Sequence, residues 1–195
     1  SDLTEGKLTI ALTAIASPLP DYDGEWLSFR GNDENMGVTN ARTPIDATET
    51  KELWKVQLGH GWDSSVTPPL IINGDLYVQA GTEVMKINKA TGEVKARTTI
   101  PDSSRYTMNP LAYGDGMIFA SMEVPVGATT GYIVALNADT LEQLWVSEKI
   151  SGQMISPITY HNGYIYTGTL NSETYEGTYF ALSVTDEDPF RKDEV

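Results

Sequence analysis

Few side chains in this sequence are of the kind that make or break bonds. Its two histidines are His60 and His161. A histidine near neutral pH can act as a general acid or base, but only beside a group that orients it or exchanges its proton. No Ser or Asp stands at a spacing that pairs with either one. His60 sits in Gly59-His60-Gly61-Trp62 and His161 adjoins Asn162-Gly163, so both read as surface loop histidines. Ser64-Ser65 lacks the Gly-x-Ser-x-Gly elbow that exposes a hydrolase nucleophile. There are no cysteines, which excludes disulfides, thiolate nucleophiles and zinc–thiolate centres. Asp21-Tyr22-Asp23-Gly24-Glu25 places alternate oxygens around a glycine, as a calcium loop does. The rest of a twelve-residue ligand pattern is absent, so Asp21, Asp23 and Glu25 form an incomplete calcium site in an acidic linker. Trp62 is flanked by glycines in a loop. An exposed indole there would stack on a sugar or a peptide, with His60 beside it. The reading is therefore of a binding protein with no catalytic residues and no cofactor, not of an enzyme.

Charge narrows the partners. Thirteen basic residues stand against 27 acidic ones in 195, a net charge of −14. Nucleic-acid binding needs clustered Lys and Arg that release counterions from phosphates, and anionic membrane surfaces need the same. Both are disfavoured, and a protein or polysaccharide partner is expected. The apolar stretch Leu8 to Ala16 is interrupted by Thr9 and Thr13. It is too short to span a bilayer and lacks the basic leader of a signal peptide. The expectation is a secreted or cell-surface bacterial protein whose signal peptide is absent from this sequence.

The elements that must carry these loops are repeated. Thr67-Pro68-Pro69-Leu70 leads to Asn73-Gly74, Asn109-Pro110-Leu111 to Asp115-Gly116, and Ser156-Pro157-Ile158 to Asn162-Gly163. In each copy a Gly follows the Pro (Pro68, Pro110, Pro157) by six places, at Gly74, Gly116 and Gly163. An aliphatic–aromatic pair comes next: Leu76-Tyr77, Ile118-Phe119, Ile165-Tyr166. A second element recurs in phase, Ile87-Asn88-Lys89-Ala90-Thr91-Gly92 and Leu136-Asn137-Ala138-Asp139-Thr140-Leu141, with a weaker copy at Ala181-Leu182-Ser183. Trp54 lies eight residues after Asp46, and Trp145 eight after Asn137, whereas Ala96 fills that slot after Asn88. A proline is tolerated at a strand's first residue. The Asn-Gly and Asp-Gly pairs suit a two-residue hairpin turn with positive φ, and the aliphatic–aromatic pairs favour strand. Four short strands in each unit of about 40–50 residues describe a propeller blade.

These residues resemble the repeat of pyrroloquinoline-quinone (PQQ)-type β-propellers, over about 26–188. The resemblance implies that the motif tryptophans, Trp54 and Trp145 here, pack on the motif glycine and peptide of a neighbouring blade; Gly92 is one such motif glycine. Trp26 to Asn32, continuing to Gly37-Val38, is similar to the segment that often opens such propellers. Catalytic members hold the quinone with an adjacent-cysteine disulfide, a calcium ion and an Asp, and this cysteine-free chain has no matching site. The resemblance is to the non-catalytic members, which serve as assembly or interaction scaffolds.

The expected fold is all-β: four-stranded antiparallel propeller blades, about three to four of them, in a partial propeller. Residues 1–25 are expected to form a strand and linker, and 26–195 the repeats, with blades at about 46–88, 88–137 and 137–183. Propellers close with about four to eight blades, so three leave apolar faces exposed. Self-association, or a further chain segment, would complete the ring. Two rivals stand beside the scaffold reading. One is part of a PQQ-dependent dehydrogenase whose active site lies outside this chain. The other is a carbohydrate-binding module using loop aromatics such as Trp62.

Overall fold

The computed structural model describes residues 25–32, 35–38, 46–59, 66–100, 109–123 and 130–184. Most of the segment 1–25, with the strand and linker expected there, and the tail after 184 lie outside the described residues.

Three antiparallel sheets follow one another along the chain. The first is β1 (Leu70–Ile72), β2 (Asp75–Ala80), β3 (Glu83–Asn88) and β4 (Val94–Thr99), paired in that order. The second is β5 (Ala112–Gly114), β6 (Met117–Glu123), β7 (Thr130–Asn137) and β8 (Gln143–Val146), with β9 (Ile150–Ser151) continuing the outer edge beside β7. The third has β10 (Gln153–Met154) and β11 (Thr159–His161) on one side of β12 (Tyr164–Asn171), and β13 (Glu176–Ser183) on the other. The chain is all-β as its turn-rich sequence implies, and the units are propeller-type blades. The links at 88 and 137 fall inside the first two sheets, between their third and fourth strands. Helix among the described residues is one 3₁₀ turn, Ala47–Glu49, capped by the Asp46 carboxylate. No helix among them is long and apolar enough to cross a membrane.

Local chemistry sets each hairpin. Asn73-Gly74, Asp115-Gly116 and Asn162-Gly163 all have both residues at positive φ, between 48° and 82°. This is the backbone twist that joins two antiparallel strands through two residues. The turn after the third strand is held by an asparagine. Asn88 Oδ1 accepts from the Ala90 and Thr91 amides, and Asn137 Oδ1 accepts from those of Asp139 and Thr140. The same turn chemistry recurs at a different place, between the second and third strands of the third sheet, where Asn171 Oδ1 accepts from the Glu173 and Thr174 amides. The signal was present: Asn171-Ser172-Glu173-Thr174 repeats the Asn-x-x-Thr of the other two.

The sheets stack face to face. Between the first and second lie Leu70, Tyr77 and Val84 against Ile118, Val134 and Leu136. Between the second and third lie Phe119, Ile133 and Ala135 against Met154, Ile158 and Ile165. The front of the first sheet, at Val78, Met85 and Ile87, packs on Trp54, Val56 and Leu58. Alternation along each strand therefore serves two cores, one per face, and the central strands lack a polar side.

Candidate interaction surface

Each sheet joins the next through a different polar contact, although the positions correspond. At the front of the first sheet, the Trp54 indole N–H donates to the Lys89 carbonyl at 2.9 Å. Its ring lies on Gly92, whose φ is +75°; a Cβ there would meet ring atoms at 2.7 Å. Only glycine suits both the space and the backbone. One sheet further on, Ala138 stands where Lys89 stood. Its carbonyl accepts from the Tyr77 hydroxyl at 2.6 Å and from the Lys86 ammonium at 3.3 Å. Here Ala96 occupies the tryptophan's slot and Leu141 the glycine's. Leu141 is buried, and the core it belongs to is packed by Ala96. A large outer residue on a small turn residue is thus exchanged for a small one on a large one.

Lys86 and Tyr77 tie that second junction electrostatically. The ammonium lies 5.4 Å from the Tyr77 ring centre, and 3.8 Å from both Asp75 and Asp139 carboxylate oxygens. Asp75 also pairs with Lys95 at 2.6 Å. Burial holds the Tyr77 hydroxyl pKa above the ordinary tyrosine range. For Lys86, burial pulls the pKa down, but Tyr77, Asp75 and Asp139 outweigh it and the net shift is upward. The third junction uses aromatics. Phe119 is stacked with Tyr160, centroids 5.9 Å apart, and lies 6.0 Å from the Trp145 ring. The Tyr160 hydroxyl reaches the Asp115 carboxylate, and its ring leaves no room for a Cβ on Gly114.

The other residues singled out from sequence fall as follows. Gly74, Gly116 and Gly163 are turn residues with open space beside them. Pro68 is exposed, Pro110 buried and Pro157 half-buried, each ahead of its sheet's first strand. His161 ends β11 and its ring meets the Asn162 side chain at 2.9 Å. Glu25 Oε1 accepts from the Asn73 amide at 2.8 Å, tying the entry segment to the first hairpin. Trp26 exchanges backbone hydrogen bonds with Ile71 on the free edge of β1. Asp21, Asp23, His60 and Trp62 lie outside the described residues. Among those described, no three His, Cys, Asp or Glu side chains converge as a metal site would require.

Among the described residues, the last face has no sheet packed on it. Ladder register matches Val84 with Ile133 and Tyr179, since each opposes Gln79, Ser121 and Gly168 in turn. Val84 and Ile133 are fully buried by the next sheet, whereas Tyr179 is 70 % exposed. Tyr166 corresponds in the same way to the buried Tyr77 and Phe119, and Ala181 to Lys86 and Ala135. Beyond them Tyr175, at the β12–β13 turn, is 84 % exposed. Tyrosine supplies a large contact area at little entropic cost and tolerates water until it is covered. The sequence implied open faces but did not assign these tyrosines to one, because Tyr166 occupies the same strand phase as the core Tyr77 and Phe119.

Stacked four-stranded sheets joined by phased turns define a segment of a β-propeller. Residues 43–185 match the family model described as outer membrane protein assembly factor BamB. That is well over half of the chain, and the chain belongs to this PQQ-type repeat family. Among solved structures, the quinohemoprotein alcohol dehydrogenase ADHIIG from Pseudomonas putida HK5 is similar to 83 % of this chain, with 14 % identity and a TM-score of 0.62. This chain covers 25 % of that protein's length. BamB from Moraxella catarrhalis matches over 60 % of this chain and 39 % of its own, at 14 % identity and a TM-score of 0.37. At such identity the dehydrogenase attests to the fold alone. No curated protein sequence matches the chain.

Proposed function

We propose that this chain is a non-catalytic propeller scaffold of the bacterial cell envelope, and that it works by holding a protein partner. The family's description as an outer-membrane assembly factor supports the compartment and the role. The observation that carries the reading is the outer face of the third sheet, where Tyr166 and Tyr179 stand at positions buried in the two sheets before it. A repeat module gains binding surface in this way without new chemistry, because the positions that pack one blade on another are already shaped to receive a flat neighbour. The Trp62 loop, with His60, is a second proposed recognition element, for a sugar or a peptide.

The rival is a PQQ-dependent dehydrogenase fragment. Because the rival places its active site outside this chain, adding PQQ with calcium to the natural protein that carries the chain, and following quinone absorbance together with dye-linked oxidation of alcohols and sugars, separates the two. The scaffold reading expects no saturable absorbance change and no turnover. Stoichiometric quinone binding accompanied by substrate oxidation would overturn it.

A further inference from the structure

We infer that Asn73 is a site of spontaneous deamidation in the folded protein, and that the Tyr160 hydroxyl protects the equivalent turns of the other two sheets.

The sequence has two Asn-Gly pairs, Asn73-Gly74 and Asn162-Gly163, and Asp115-Gly116 fills the same slot in the second sheet. An asparagine before glycine cyclises readily, because no Cβ shields the glycine amide. The glycine nitrogen gives up its proton to solvent base and bonds to the asparagine Cγ. The Cγ–Nδ2 bond breaks, and ammonia leaves with a proton taken from water. Water then opens the resulting succinimide at one of its two carbonyls, giving aspartate or isoaspartate. The net change is water consumed and ammonia released, with no oxidant or reductant.

The three turns share one backbone conformation. Their φ pairs are 50° and 80° at Asn73-Gly74, 48° and 76° at Asp115-Gly116, and 49° and 82° at Asn162-Gly163. What differs is what holds the reacting atoms. In the third sheet the Gly163 amide donates to the Tyr160 hydroxyl at 3.0 Å, and Asn162 Nδ2 lies 2.9 Å from His161 Nε2. Nucleophile and leaving group are both held there. In the second sheet the Asp115 carboxylate accepts from the same Tyr160 hydroxyl. One hydroxyl serves both turns, because it donates once and also accepts. In the first sheet the corresponding residue is Ile71, which opposes Leu76 as Tyr160 opposes Ile165. Its side chain has no acceptor. Among the described residues nothing accepts from the Gly74 amide, and Asn73 and Gly74 are both exposed.

The site bears on the entry segment. The Asn73 amide donates to Glu25 Oε1 at 2.8 Å, so a carboxylate gained at position 73 is a like charge beside Glu25. Isoaspartate further inserts a methylene into a turn whose twist depends on two residues alone. Both products weaken the tie between the entry segment and the first hairpin.

Ageing the natural protein that carries the chain at mildly alkaline pH, with peptide mapping by mass spectrometry at each turn, is the test. It is run on the folded protein, on the protein in urea, and on Tyr160→Phe. In the folded protein Asn73 is expected to deamidate about 2- to 10-fold faster than Asn162, the rate factor that one hydrogen bond supplies. Y160F should raise the Asn162 rate by a similar factor and leave the Asn73 rate unchanged. In urea, where Tyr160 holds neither turn, the two rates should converge. An Asn73 that deamidates no faster than Asn162 in the folded protein overturns the inference. So does a Y160F variant that melts like the parent yet keeps Asn162 slow. Where Y160F fails to fold, the urea arm decides: a rate ratio that is the same folded and unfolded belongs to local sequence and removes Tyr160 from the account.

Discussion

Tyr77 shows how one residue serves packing and polarity together. Its ring is buried between the first two sheets, and its hydroxyl reaches across to the Ala138 carbonyl. Because burial raises its pKa, the folded chain holds the phenolic proton more tightly than the unfolded one. The stabilisation is fully present below pH about 10, where an unfolded tyrosine ionises. It is lost as pH rises from there through the folded-state value. Lys86 acts in the same sense, since its raised pKa also ties stability to the protonated form. Tyr77→Phe at neutral pH is expected to cost about 0.5–1.5 kcal/mol in urea unfolding, the worth of one hydrogen bond. It should also flatten the decline of stability above pH about 10. An alkaline limb equally steep in the variant would show that Tyr77 does not set it.

At the scale of elements, the junctions between sheets are interchangeable solutions to one problem. A turn carbonyl must be satisfied and a gap beside the turn must be filled. The front junction uses Trp54 on Gly92, and the second uses Ala96 with Leu141, leaving the carbonyl to Tyr77 and Lys86. Each half of the second pair is adapted to the other. Ala96→Trp alone is expected to overpack the junction and cost about 1–3 kcal/mol. Leu141→Gly alone opens a cavity, at a cost of about 2–5 kcal/mol on the range for truncating a buried leucine, offset by about 1–2 kcal/mol because Leu141 holds φ +61°, where glycine is unstrained. Together they rebuild a tryptophan-on-glycine contact, so the double variant should be more stable than the sum of the singles by about 1–3 kcal/mol. Additive losses in a denaturation cycle would mean that the two positions do not share that space. This pairing was half legible in sequence. Both departures from the repeat are visible there, but that they face one another depends on which blade's strand lies over which blade's turn.

For the whole molecule, stability is distributed by position in the stack. The second sheet is covered on both faces, while the third has one face and one edge open among the described residues. Stacked repeats gain much of their stability from neighbours, so end units open first. Hydrogen exchange at low protein concentration should protect β6 and β7 most and β13 least. Equal protection in β7 and β13 would show that the open face is covered by something else.

The sequence by itself determined what is local or periodic. The Asn-Gly and Asp-Gly pairs require positive φ. The Asn-x-x-Thr turns close on their own amides, and the phased Pro, Gly and aromatic positions dictate strands of propeller type. The absence of cysteine from the sequence ruled out thiolate chemistry in it, and the weight of acid disfavoured nucleic acid and anionic membranes as partners. Tertiary structure alone decided which equivalent positions are buried. Tyr77, Phe119 and Tyr166 are aromatics in one slot, and Val84, Ile133 and Tyr179 share another. Whether such a side chain is core or surface depends on a neighbouring sheet far away in the chain, and strand periodicity carries no record of that neighbour.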